Sequence, residues 1–145
     1  MSYMNAINQH FQNESVARLH AGTICIVNFG VEWQFRGEFW KTRPAIVLFE
    51  TPDGANKITV TVVPMTTKED PERGPTSVLI RRTPHNRLMR DGIAVAHHLR
   101  AVTGHQIVRP IGRIDARTFA EVQAAVARSV GLPFLPQTSD RHYAN

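Results

Sequence analysis

From residue 22 onward the chain alternates short aliphatic and β-branched runs with Gly, Pro, Asn and Asp. The runs 23–27 (TICIV), 44–49 (PAIVLF), 58–63 (ITVTVV), 77–80 (SVLI) and 93–99 (IAVAHHL) have the length and composition of strands. Thr59 and Thr61 alternate with Ile58, Val60 and Val62, the period-two pattern of a strand with one face buried. Residues 106–111 form a further short strand, which Pro110 restricts to a sheet edge because proline has no N–H for a ladder. One helix is predicted, at about 116–130. Asp115 is its N-cap, Phe119, Val122, Val126 and Val130 lie near one face, and Gly131 closes it. Ahead of the strands, residues 1–21 read as a polar leader or short helix, with Ile7, Phe11, Val16 and Leu19 loosely on one side. Residues 133–145 are a polar tail. The expected architecture is mainly β with a C-terminal helix: a small, strongly curved antiparallel sheet or barrel over residues 22–132.

Length and composition agree with one globular domain: 145 residues, 42% hydrophobic and 20% charged. No apolar run is long enough to span a membrane, and the first residues lack the apolar core of a signal peptide. With only Cys25, an intramolecular disulfide and a four-cysteine zinc site are excluded, and a reducing cytoplasm is the expected location. The net charge of +5 is unevenly spread. Residues 73–117 hold nine arginines against Asp91 and Asp115, a local surplus of seven, while the rest of the chain is slightly acidic. A basic surplus gathered in one stretch suits a phosphate-backbone binder, and equally a merely solvated surface.

The connection 28–42 (NFGVEWQFRGEFWKT) is long for a hairpin loop. Phe29, Trp33, Phe35, Phe39 and Trp40 are interleaved there with Glu32, Arg36, Glu38 and Lys41. Splayed bases stack on aromatic faces while cations hold phosphates, so this mixture fits single-stranded RNA. The competing reading is a lid or subunit surface whose aromatics are simply packed away.

Three landmarks occur in order. Gly37-Glu38 precedes Lys41-Thr42-Arg43-Pro44-Ala45-Ile46-Val47-Leu48; Val63-Pro64-Met65-Thr66-Thr67 follows; then come Gly92-Ile93-Ala94-Val95-Ala96 and Leu99-Arg100. This ordered set, with the Asp115 helix, resembles the MazF/PemK/Kid toxins from about residue 22 to residue 131. The resemblance implies an SH3-like barrel of the CcdB/MazF/PemK type. It also implies a homodimer that cuts single-stranded RNA by 2′-OH attack without a metal or other cofactor and is neutralised by a cognate antitoxin.

Within that resemblance Arg43 matches the catalytic arginine and Thr66 the active-site threonine. A guanidinium suits the charge of a phosphorane, and a hydroxyl can orient the phosphate although it is a poor base. Structural alternatives are a salt bridge from Arg43 to Glu38 and a turn role for Thr66. In the implied site Glu38 holds Arg43, and Trp33, Arg36, Lys41, Arg81 and Arg100 line the RNA path. The chain departs from the family where Asp-Gln commonly follows the third landmark: His97-His98 stands there. Histidine can exchange a proton near neutrality. The resemblance points to His97 as proton carrier. Strand alternation over 93–99 instead puts His97 with Ile93, Val95 and Leu99, and leaves His98 exposed. Neighbours on a strand face opposite ways, and the other histidines are scattered, so no metal site is expected. Two rival functions share this fold: a CcdB-like poison that binds gyrase without catalysis, and a nucleic-acid-binding module that does not cleave.

Overall fold

The computed structural model describes residues 19–30, 42–53, 57–67 and 74–133. Of the sequence assignments, the leader to residue 18, the tail from residue 134, and Trp33, Arg36, Glu38 and Lys41 lie outside these residues.

Side-chain alternation gives the sheet two apolar faces. In β1 (Thr23–Asn28), Ile24 joins a first core while Cys25 and Val27 join a second. β1 pairs antiparallel with β2 (Thr42–Asp53), where Ile46 belongs to the first core and Ala45 and Val47 to the second. β2 pairs with β3 (Lys57–Thr66), whose Val63 and Met65 face the first core and whose Val60 and Val62 face the second. Both strands run past the apolar runs 44–49 and 58–63, because their pairing carries polar ends along with the buried centre. The β2–β3 register shifts between Val47 and Phe49. Leu48 stays with Ile46 on the first core, and the bulge flips the residues after it, putting Glu50 opposite Val60 on the second-core face.

β4 (Ser77–Ile80) has the bounds its sequence pattern predicts. The single strand expected over 93–99 is not formed. The chain makes β5 (Gly92–Val95), a 3-10 turn at Ala96–His98, and β6 (Arg100–Thr103). The reason is the length of β3, which pairs at Met65 and Thr66 with β5 and over Thr59–Val62 with β6. The turn is the step between these two pairings. A second 3-10 turn, Gly104–Gln106, leads into β7 (Ile107–Arg113). The strand order is β4-β5-β3-β2-β1-β7, with β6 also on β3. Among the described residues β7 is therefore an edge strand, a position that suits Pro110, and its register on β1 shifts beside that residue.

The described strands form an open, curved sheet whose ends are tied through the connection 81–91. Arg113 N–H on β7 donates to His85 O at 3.1 Å. The connection is organised by buried Asn86: its Oδ1 accepts from Thr83 N–H and Leu88 N–H, and its Nδ2 donates to Arg81 O at 2.8 Å. Gly112 passes so close that a Cβ there would meet Asn86 O at 2.5 Å, so no larger residue fits without displacing backbone.

α1 (Ala116–Ser129) covers the first core. Asp115 caps it, its Oδ1 accepting from Thr118 N–H at 2.7 Å, and that bond holds the carboxyl below its usual range. Val122 and Ala125 are buried, with Phe119 and Val126 packed beside them. Val130 lies past the last helical turn and is exposed, so it is not part of the apolar face. No helix among the described residues is long and apolar enough to cross a membrane.

Candidate active site

Arg43 enters at the start of β2 and pairs with Val27 of β1. Ala45 pairs with Pro64, and extending that register by two residues sets Arg43 opposite Thr66, the last residue of β3. Directly opposed residues on antiparallel strands share a face. Alternation puts this pair on the second-core face, beyond buried Ala45, Val47 and Val62. Both residues are half-buried. On its other edge Thr66 pairs with Ile93 of β5. Ladders that run back into the core thus carry Arg43 and Thr66 to neighbouring strand ends. Rigid strands, rather than a loop, set their spacing.

Arg100 is two residues from Val102, a second-core residue, and so lies on the same face. Its guanidinium carbon is 5.9 Å from the centroid of the Phe29 ring. Phe29 itself is 1% exposed and belongs to the second core. Of the aromatics assigned to stacking in the 28–42 connection, this one is a packing residue that supports a cation instead of a base platform.

The histidines are placed by the 3-10 turn, and alternation does not apply to them. His97 is exposed and His98 half-buried, the reverse of the strand-based expectation. Nor do they face opposite ways: the rings meet edge to face with centroids 4.4 Å apart. His97 Nδ1 is hydrogen-bonded to Thr76 Oγ1 at 2.8 Å. Thr76 had no signal in the sequence, because its partnership depends on β4 pairing with β5. The Ile93 end of β5 is beside Thr66, and His97 follows four residues later, beyond the opposite end of that strand. Arg43, Thr66 and Arg100 therefore share a face, while His97 and His98 are carried by the turn between the β5 and β6 pairings on β3.

Arg81 lies elsewhere. It follows β4 and lines a cavity of about 700 Å³ with Arg113 and Arg117, at the N-terminal end of α1. Among the described residues no group of three or more His, Cys, Asp or Glu could hold a metal ion. Cys25 is fully buried, and burial, followed by the charge of Glu50, pushes its thiol up to about 12. It is a core residue and no thiolate nucleophile.

The PemK-like, MazF-like toxins of type II toxin–antitoxin systems match residues 20–130, and the chain belongs to that family. Solved structures with the same fold include a mycobacterial endoribonuclease in complex with its cognate antitoxin. It is 17% identical, with a TM-score of 0.58, covering 79% of this chain and 96% of that one. The Mycobacterium tuberculosis toxin MazF-mt6 is 19% identical, with a TM-score of 0.56 over 77% of this chain and 99% of its own. MazF from Deinococcus radiodurans is 21% identical, with a TM-score of 0.55 over 77% and 96%. No curated protein matches the chain by sequence.

Proposed function

We propose that this toxin is an endoribonuclease that cuts single-stranded RNA without a metal ion, works as a cytoplasmic homodimer and is neutralised by a cognate antitoxin. The reading is supported by the β2–β3 register, which runs to Ala45 and Pro64 and, extended by two residues, brings Arg43 opposite Thr66 at the end of an apolar face. The fold is also that of a mycobacterial endoribonuclease bound to its antitoxin.

The reaction asks little of the protein beyond placed charge and a route for two protons. The ribose 2′-oxygen attacks the adjacent phosphorus and gives its proton to a base. The P–O5′ bond breaks, and the leaving 5′-oxygen takes a proton from an acid. The products are a 2′,3′-cyclic phosphate and a 5′-hydroxyl. Arg43 stabilises the charge on the phosphorane, the role a metal fills in other nucleases. Thr66 orients a non-bridging oxygen, and Arg100 holds an adjacent phosphate. His97 is the first candidate for the proton carrier: Thr76 occupies Nδ1 and leaves Nε2 to exchange protons. His98 is the second. The sequence further assigns Glu38 to hold Arg43, and Trp33, Arg36 and Lys41 to the RNA path.

Incubating the purified chain with single-stranded RNA in EDTA tests the reading. Cleavage that leaves cyclic phosphate ends is the expected result. Intact RNA under conditions where the folded protein binds it would identify a binding module instead.

A further inference from the structure

Among the described residues, β4 is the terminal strand of the sheet and pairs only with β5. Ala96 N–H donates to Thr76 O, which makes Thr76–Ala96 a hydrogen-bonded pair. Antiparallel ladders alternate, so Val78 and Ile80 turn their backbone groups to β5 while Ser77 and Leu79 turn theirs outward. Ser77 N–H confirms the alternation by donating to Gly74 O in the preceding turn. Leu79 is left with an N–H and a C=O on the open edge, and an open edge is a template for another strand.

Two cavities flank that edge, and both are lined by Leu79 and by Glu121 of α1. The larger, about 700 Å³, has Ile80 and Ile114 among its apolar walls, with Arg81, Arg113 and Arg117 around it. The smaller, about 380 Å³, continues along α1 to Arg128. All four arginines are exposed. Of the acids, Asp115 is committed to the helix cap, so the rim keeps a positive surplus.

We infer that this edge and its groove dock an extended acidic segment of a protein partner, added to the sheet beside β4 with an apolar side chain in the larger cavity and carboxylates on the arginine rim. The inference deepens the antitoxin reading above by giving a partner segment a place away from the Arg43–Thr66 face. A nucleic acid fits less well. It has no alternating amide N–H and C=O groups to continue a β-ladder. A second copy of the chain is disfavoured because edge-to-edge pairing would bring two arginine rims of like sign together.

The probe is a blocked heptapeptide of alternating valine and glutamate, titrated into the full chain and followed by amide chemical shifts. Saturable shifts at Leu79 and along the β4 edge are expected, with affinity falling as salt rises. Methylating alternate backbone nitrogens of the peptide should weaken binding about tenfold, because strand addition depends on those donors. Leu79→Pro removes the outward N–H without touching the β5 ladder and should do the same. Arg81→Glu with Arg117→Glu should lose the glutamate peptide and gain its lysine counterpart, which tests the rim even if the proline variant fails to fold. Arg43→Ala must bind the peptide like the parent, so loss of RNA cleavage and loss of peptide binding are separable. Absence of binding, insensitivity to N-methylation, or shifts confined to the Arg43 face would overturn the proposal. So would hexauridylate binding at this edge that the arginine substitutions abolish, which would make it an RNA surface.

Discussion

Thr76 Oγ1 lies 2.8 Å from His97 Nδ1, across the end of the β4–β5 ladder. The bond joins a residue just before β4 to one just after β5, and Thr76 O also accepts from Ala96 N–H. The imidazole is therefore oriented by two elements far apart in sequence, although its ring is exposed.

That relationship makes the proton carrier testable. With His97 in that role, the cleavage rate depends on pH through a single protonation, and His97→Gln removes that dependence. Thr76→Val keeps the shape of the side chain but frees Nδ1, so it should shift that dependence and lower the rate several-fold without lowering Tm. A His98→Gln variant that alone flattens the pH–rate profile would transfer the role to His98.

Arg43→Ala should reduce cleavage roughly a hundred- to a thousandfold, the usual loss when a positioned electrostatic donor is removed. Circular dichroism and Tm should stay near those of the parent, since Arg43 is half-buried at a strand end and outside both apolar cores. Arg43→Lys should recover only part of the rate, because an ammonium offers a point charge in place of a planar fork. A fully active alanine variant would place the chemistry elsewhere.

The Asn86 connection should behave as a structural clasp. Asn86→Ala strands the N–H groups of Thr83 and Leu88 and the carbonyl of Arg81, and should cost about 2–3 kcal/mol. Gly112→Ala pushes a methyl into Asn86 O and should cost about 1–3 kcal/mol through backbone displacement. Urea denaturation of both variants checks this. The double variant should lose less than the two single losses combined, because both act on one contact.

Glu50 makes stability depend on pH. Its Oε2 is enclosed without a hydrogen-bond partner among the described residues, and burial raises its pKa above the ordinary 4.5, against the opposing charge of His20. The folded state thus holds the Glu50 proton more tightly than the unfolded chain. The stability this contributes is fully present below the unfolded pKa and is lost as pH rises through the folded one. Glu50→Gln should raise Tm at neutral pH and flatten the dependence of Tm on pH above about 4.5. Identical Tm profiles for parent and variant would show that solvent reaches the carboxylate.

Local patterns were enough for the elements whose limits are set by their own residues. The run SVLI ends where its β-branched and aliphatic character ends, and β4 has those limits. The helix begins at a carboxylate that can bond its own third residue and stops before Gly131 at a φ of +76° that glycine adopts without strain. Arg43 and Thr66 flank the apolar runs 44–49 and 58–63 in the sequence, and β2 and β3 extend far enough to include them both. What the tertiary structure alone decided are the relations between pieces that compete for one partner. Residues 93–99 have the composition of one strand, but β3 pairs with both halves at offset registers, and the 3-10 turn that joins them overrides alternation at His97 and His98. Phe29 is buried under Arg100, and Asn86 beneath Gly112, because of contacts more than twenty-five residues apart along the chain. Such contacts depend on how the sheet curls, and no short window of sequence contains both partners.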